Sequence, residues 1–268
     1  MYKVISLHFT RDCNLNCSFC YRKKKPTKNK PFKFFIDMIP YLSKLTKQIA
    51  IGGGEPFLYP HFLMEFAKKA KKYGLIVNVT TNGTLPMKDY VDDIEMVSVS
   101  FDSEKIKYKE DIDRFVNALK ELKGKTKIGV NFLMEYDKDP LIILNMTPFF
   151  FKGIKVDSLY ALCPKKWKSP NILKYKGILL LISELYPNFY VDDLTYKIIT
   201  ENKYSNWDSP CHYGTGIISI DEQGYVYGCS FDDEPLLKLN KPNDILKIKD
   251  IKIKKRYSCP YLIKNGKN

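Results

Sequence analysis

Val4-Ile-Ser-Leu-His-Phe9, continued by Thr10-Arg11-Asp12-Cys13-Asn14-Leu15-Asn16-Cys17-Ser18-Phe19-Cys20-Tyr21, is the stretch from which the fold is read. Its first six residues alternate apolar and polar side chains, as a half-buried strand does. Three cysteines follow in one compact loop at the carboxyl end of that strand. Soft thiolates gathered this way suit an iron–sulfur cube, one thiolate to each of three irons. Most such clusters have four cysteine ligands, so three would leave one iron open. Zinc loops usually carry two Cys-x-x-Cys pairs, and this spacing is neither; a zinc loop or incidental thiols are the bland alternatives.

Downstream the strand–loop–helix unit recurs. Strands are expected at Gln48–Ile51, Leu75–Val79, Met96–Phe101, Lys127–Leu133 and Ser158–Leu162. Helices are expected at Pro31 to Leu45 with an interruption near Pro40, at His61 to Tyr73, briefly around Asp89, at Glu110 to Lys123, at Leu141 to Phe151 and at Asn171 to Tyr186. Ile112, Phe115, Val116, Leu119 and Leu122 make one apolar stripe, and Gly124 ends that helix. The alternation implies an α/β fold, an open parallel (βα)6 partial barrel short of the eight units of a closed one. Active sites of such folds sit at the carboxyl ends of the strands. The core is assigned to residues 1–192. Residues 193–268 show little helical period and one hairpin signal, Gly216 to Gly228 with Gly224 in its turn; they are read as a small C-terminal hairpin-containing iron–sulfur module.

The chain has 268 residues, 44% of them hydrophobic and 14% aromatic, so extensive disorder is excluded. The run Ile178 to Ile182 is far short of the ~20 apolar residues that span a bilayer. Met1-Tyr2-Lys3 leads straight into a strand pattern without the apolar region of a signal peptide, and a cytoplasmic protein is expected. The net charge is +14. Only Arg11, Arg22, Arg114 and Arg256 are arginines, the residue that reads phosphate and guanine bidentately; the rest of the excess is diffuse Lys, which argues against a nucleic-acid footprint. Lys23-Lys24-Lys25 is the exception, close enough to the cysteines to meet an anionic substrate. Seven cysteines in a chain that is neither small nor secreted point to metal or catalysis rather than disulfides.

Further polar motifs fall at successive strand ends. Gly52-Gly53-Gly54-Glu55-Pro56 follows the second strand, where glycines let backbone approach a ligand and Glu55 can accept from an ammonium group. Thr80-Thr81-Asn82-Gly83 ends the third, Ser100-Phe101-Asp102 the fourth, and Asn131 lies on the fifth. Motifs repeated at one end of a parallel sheet are the layout of a cofactor site; for Asn82, Asp102 and Asn131 a turn or cap role is the competing reading.

The segment Phe9 to Tyr21 resembles the signature of the radical S-adenosylmethionine (SAM) superfamily. It is closest to the branch with SPASM or twitch auxiliary domains, down to the Asn-Leu pair and Phe19 before the last cysteine. The later motifs fall in family order, so the resemblance covers nearly the whole chain. It implies that Cys13, Cys17 and Cys20 hold a 4Fe–4S cluster whose fourth iron chelates the amino and carboxylate groups of SAM. It further implies that Phe19, Gly53, Gly54, Glu55, Asn82, Ser100, Asp102 and Asn131 form the SAM site. One-electron cleavage of SAM would then give methionine and a 5′-deoxyadenosyl radical that takes hydrogen from a substrate carbon.

Cys211, the hairpin with Gly224, and Cys229 match the opening of a SPASM or twitch domain. Cys259 would be a third ligand of one auxiliary 4Fe–4S cluster. The alternatives are buried thiols or a zinc site with His212. A twitch site ending in Cys-x-x-Cys is not matched, because the text is Cys259-Pro-Tyr-Leu262. Either the auxiliary cluster keeps an open iron, or Cys163 completes it; Cys163 is otherwise a hydrogen-atom donor or an inert core thiol. His8 is read as packed. Asp192–Asp193 is read as loop surface or the source of an acid or base, and Trp167 and Trp207 as pocket lining or packing.

The resemblance implies an enzyme that oxidises, crosslinks or epimerises a peptide or protein residue, with a reductant such as ferredoxin or flavodoxin as partner. A leader-peptide reader fused ahead of residue 3 is not expected. The alternatives are a dehydrogenase or cyclase acting on a small molecule or nucleotide, and, in a different class, a non-enzymatic iron–sulfur electron carrier. A basic nucleic-acid module predicts steep salt dependence, and a tRNA-modifying radical enzyme would merge that reading with the first.

Overall fold

The computed structural model describes residues 1–22, 28–135, 138–163 and 171–259. Lys23-Lys24-Lys25 and Trp167, singled out above, lie outside the described residues. The strands are β1 (Val4–Leu7), β2 (Gln48–Ile51), β3 (Ile76–Thr81), β4 (Met96–Phe101), β5 (Lys127–Leu133), β6 (Ser158–Leu162), β7 (Phe189–Val191), β8 (Ile217–Ile220), β9 (Tyr225–Tyr227) and β10 (Leu237–Lys238). They form one sheet in the order β10-β9-β8-β1-β2-β3-β4-β5-β6-β7. Pairing is parallel from β8 through β1 to β7 and antiparallel from β8 to β10. This is an α/β fold with a mostly parallel sheet of the partial-barrel kind.

Helices α1 (Phe32–Leu42), α2 (Pro60–Lys72), α3 (Lys109–Leu122), α4 (Leu141–Pro148), α5 (Ile172–Leu185) and α6 (Asp193–Glu201) alternate with the strands. Each strand presents one apolar face. Ile5, Leu7, Ile49, Ile51, Val97 and Val130 pack with Phe35, Ile39, Leu63, Phe66 and Leu119 of the helices in one continuous core. From β1 to β5 much of the opposite face is small and polar, while on β6 and β7 it carries Tyr160 and Tyr190. Register sets Ser6 beside Ala50, Thr80 beside Ser98, Ser98 beside Gly129, and Ser100 beside Asn131. Period-two alternation thus separates a core-facing set from a set on the opposite face of the sheet.

Three elements differ from the sequence reading. A seventh parallel strand, β7, follows α5; at three residues it is too short to show a period. The segment after Asp193, read as poor in helix, opens with α6 and also holds a 3-10 helix at Pro242–Asp250. Asp192 caps α6 by accepting from the N–H groups of Leu194 and Thr195, both at 3.0 Å, while Leu194, Ile198 and Ile199 are buried. The third is at Pro40, which does not interrupt α1. The helix runs through it, and Phe35, Met38, Ile39 and Leu42 hold both sides in the core, where packing overrides the lost hydrogen bond. The C-terminal hairpin extends the same sheet, with β8 alongside β1.

Candidate active site at the carboxyl edge of the sheet

The loop after β1 is sewn to the loop after β2. The N–H of Gly54 donates to the carbonyl of Thr10 at 2.9 Å, and that of Glu55 to the carbonyl of Asp12 at 2.7 Å. Only glycine permits this approach: a Cβ on Gly54 would lie 1.9 Å from the Asp12 carbonyl oxygen, and Gly53 has φ of 125°. Tyr59 adds a hydrogen bond from its hydroxyl to the Asp12 carboxylate. The backbone just ahead of Cys13 is therefore fixed.

Glu55 is buried at 1% exposure. Its Oε1 accepts from the N–H of Phe57 at 3.0 Å and from the Thr81 hydroxyl at 2.8 Å; its Oε2 accepts from the N–H of Asn82 at 2.8 Å. Burial pushes its carboxyl above the ordinary range, opposed by these three hydrogen bonds. Asn82 in turn donates from Nδ2 to the Asn14 carboxamide at 2.8 Å, with Cys13 Sγ 3.9 Å away. One chain of contacts thus runs from β2 through the end of β3 to the first cysteine.

On the other side, Lys105 pairs with Asp102 and lies 5.1 Å from the centre of the Phe19 ring. Asp102 also caps its own turn, accepting from the N–H groups of Glu104 and Lys105 at 3.2 and 3.1 Å. Glu104 accepts from Ser18 in the cysteine loop. Burial pushes the Cys17 thiol up to about 11, against the Lys105 ammonium. A cavity of about 440 Å³ opens here, lined by Cys17, Asn82, Ser100, Lys105, Tyr108 and Arg114 among others. Asn131 donates from Nδ2 to the Thr80 hydroxyl at 3.2 Å.

Cys13, Cys17 and Cys20 are each partly exposed on this loop. Among the described residues no three His, Cys, Asp or Glu side chains are grouped to hold a single metal ion. A 4Fe–4S cube takes soft thiolates, one to each of three irons, the donor type that Cys13, Cys17 and Cys20 carry on one loop. The donor chemistry and the glycine-tight stem therefore fit a cluster here.

Other expected residues fall elsewhere. Cys163 is buried after β6, its N–H donating to Asp192 Oδ2 at 2.8 Å. Asp192 is a helix cap, not loop surface. Trp207 is 3% exposed and donates from Nε1 to the Lys203 carbonyl at 3.0 Å, so it packs. At the far end of the hairpin the Gly214 N–H donates to the Gly228 carbonyl at 2.8 Å, and the Cys211 N–H to the Arg256 carbonyl at 2.9 Å. Arg256 stacks 3.5 Å from the Tyr213 ring and pairs with Asp232 at 3.3 Å. The segments carrying Cys211, Cys229 and Cys259 are thereby tied to one another. His212 Nε2 lies 3.3 Å from Lys3 Nζ.

Sequence reasoning missed Lys105 and the partners of Arg11 and Arg22. Both guanidinium groups meet Glu222, from the turn between β8 and β9. The available signal was the placement of two of only four arginines immediately outside the cysteine loop.

The family model described as the radical SAM superfamily matches residues 7–140, half of the chain. An uncharacterized protein of Methanocaldococcus jannaschii is 28% identical across 99% of this chain and 98% of that protein. An S-adenosylmethionine-dependent nucleotide dehydratase of Flammeovirga pacifica is 24% identical across 70% of this chain and 71% of that protein. The solved structure of Streptococcus suis SuiB bound to S-adenosylmethionine superposes with a TM-score of 0.65 at 15% identity, covering 85% of this chain and 58% of that one. That last likeness is one of fold. No described helix is long and apolar enough to cross a membrane.

Proposed function

This chain belongs to the radical SAM superfamily of enzymes, and from that premise we propose that it uses Cys13, Cys17 and Cys20 to hold a 4Fe–4S cluster and the carboxyl ends of β1 to β5 to hold SAM. When bound, cluster and SAM together supply a one-electron reductive cleavage whose carbon radical removes hydrogen from a substrate. The protein's own part is placement. The linked contacts from Glu55 through Asn82 to Asn14, beside Cys13, carry the reading. They fix the cysteine loop against the glycine loop at the one edge where Gly53, Gly54, Ser100 and Asn131 also lie. Glu55 serves this role by holding Thr81 and Asn82, while Lys105 supplies positive charge beside Cys17 and Phe19. Asp102 holds Lys105 and its own turn.

Residues 193–268 are assigned to an auxiliary module in which Cys211, Cys229 and Cys259 bind a second 4Fe–4S cluster. The ties joining Cys211, Gly228 and Arg256 support this. A second cluster can accept an electron from a substrate radical, which suits oxidation or crosslinking of a peptide or protein residue, with a ferredoxin or flavodoxin as reductant; epimerisation would instead need a hydrogen atom returned to the substrate radical. Cys163, buried beside Asp192, is the hydrogen-atom donor or remaining ligand in that scheme. A second reading, a small molecule or nucleotide as substrate, is favoured by the likeness to a nucleotide dehydratase and by the neutral polar sheet face of Thr80, Ser100 and Asn131. The reconstituted chain with dithionite and SAM should release 5′-deoxyadenosine, and the chain with all three loop cysteines changed to Ala should release none. An electron carrier would release none in either form. Deuterium transfer into 5′-deoxyadenosine from a labelled peptide or a labelled nucleotide separates the two substrate readings.

A further inference from the structure

Glu222 is fully buried and divides its carboxylate between two arginines. Oε1 pairs with Arg11 Nε and Oε2 with Arg22 Nη2. Arg11 stands two residues before Cys13 and Arg22 two residues after Cys20. One carboxylate therefore grips both stems of the cysteine loop. It arrives from 200 residues beyond Arg22 in the chain. The sheet explains how. β8 lies parallel to β1 with Leu7 beside Ile220, and the His8 N–H donates to the Ile220 carbonyl at 2.8 Å. The turn after β8 thus emerges at the same edge as the loop after β1. Asp221 stiffens that turn, accepting from the N–H groups of Gln223 and Tyr225 at 3.0 and 2.8 Å. The Glu222 carbonyl also accepts from the N–H of Lys30 at 2.8 Å. Elsewhere in the chain the positive charge is Lys apart from Arg114 and Arg256; a carboxylate shared between two partners suits the planar, permanently charged guanidinium.

A buried carboxylate between two partly buried cations is costly to break, because removing one partner leaves charge with less compensation. A loop of ten residues with three thiols has little apolar surface to order it. Tethering both of its ends to one point removes much of the entropy that ligand binding would otherwise oppose. We propose that Glu222 is a positioning residue for the cysteine loop: through Arg11 and Arg22 it holds residues 12–21 in place before any cluster binds, and so makes loop order depend on the C-terminal hairpin. This rests on the reading of Cys13, Cys17 and Cys20 as cluster ligands, but the loop's order is measurable without a cluster.

The test is amide hydrogen exchange on the full-length, cluster-free chain as wild type, Glu222→Gln and Arg22→Gln. The second variant keeps the Arg11–Glu222 pair and serves if the first does not fold. Exchange over residues 12–22 should quicken by about tenfold or more in Arg22→Gln, with β3 to β5 unchanged, because local opening follows the lost tether. In a background with Cys211, Cys229 and Cys259 changed to Ala, the same variant should take up iron more slowly and show an altered spectrum of the reduced cluster. Unchanged exchange over 12–22, or a rise spread over the whole chain, overturns the proposal. If wild type takes up no iron through the loop cysteines, the functional reading fails, and the exchange result still decides the tether.

Discussion

The Glu55 carboxylate accepts the backbone N–H of Asn82 at 2.8 Å, so the acidic residue after β2 is the fastening for the loop after β3. With Thr81 and Phe57 also donating to it, this buried side chain is already well occupied within the protein. Glu55→Ala should destabilise the chain by about 2–4 kcal/mol, since it strands buried donors. Glu55→Gln should cost less. Urea denaturation of the cluster-free chain measures both, and equal, negligible losses would show that the fastening is unimportant.

Gly54→Ala places a methyl group against the Asp12 carbonyl. The expected cost is about 3 kcal/mol or more, because backbone on both sides must separate. Thermal unfolding reads the stability loss, and iron uptake reads displacement of the cysteine loop. By contrast Gly124→Ala and Gly177→Ala meet nothing within 4 Å. Gly177→Ala, within α5, should be neutral or stabilising, whereas Gly124 has φ of 79° and its alanine variant should cost a little stability.

Changing Cys13, Cys17 and Cys20 together to Ala should leave about four irons per chain after anaerobic reconstitution, held by the C-terminal cysteines. Changing Cys211, Cys229 and Cys259 instead should leave a similar number at the loop. Iron and sulfide analysis checks both. Essentially no iron in the first variant would end the auxiliary-cluster reading and return Cys211, Cys229 and Cys259 to packing or zinc.

Asp244 has its carboxyl lowered from 3.8 to about 2 by the Lys247 side chain and the N–H groups of Lys241 and Asn240, against burial. A lowered carboxylate contributes stability that is present above the unfolded-state value and lost as pH falls through the folded one. That contribution should vanish between about pH 4 and pH 2. Asp244→Asn should be less stable than wild type at neutral pH and match it at the acid end. A constant difference between the two chains across that range would contradict this.

Asp192→Ala removes the cap of α6 and the acceptor for the Cys163 N–H. A loss of about 1 kcal/mol is expected from the cap. If Cys163 donates hydrogen, Cys163→Ala should abolish product while leaving 5′-deoxyadenosine release intact. Loss of both together would mark it as structural.

The sequence alone determined the alternation of strand and helix, because apolar periods of two and of about 3.6 are local properties of the chain. It also located the cysteine loop and the polar motifs at successive strand ends, since parallel topology sends every such motif to the same edge. Short elements stayed hidden: β7, at three residues, shows no period, and α6 carries a stripe of only Leu194, Ile198 and Ile199 and owes its start to one cap. What only the tertiary structure decided was which distant residues share a charge or a hydrogen bond. Glu55 fastens Asn82, Lys105 reaches Phe19 and Asp102, and Glu222 closes the base of a loop 200 residues earlier. Such pairings depend on strand order and register, above all on β8 lying beside β1. No local pattern encodes that adjacency, because it is won by burial summed over the whole sheet.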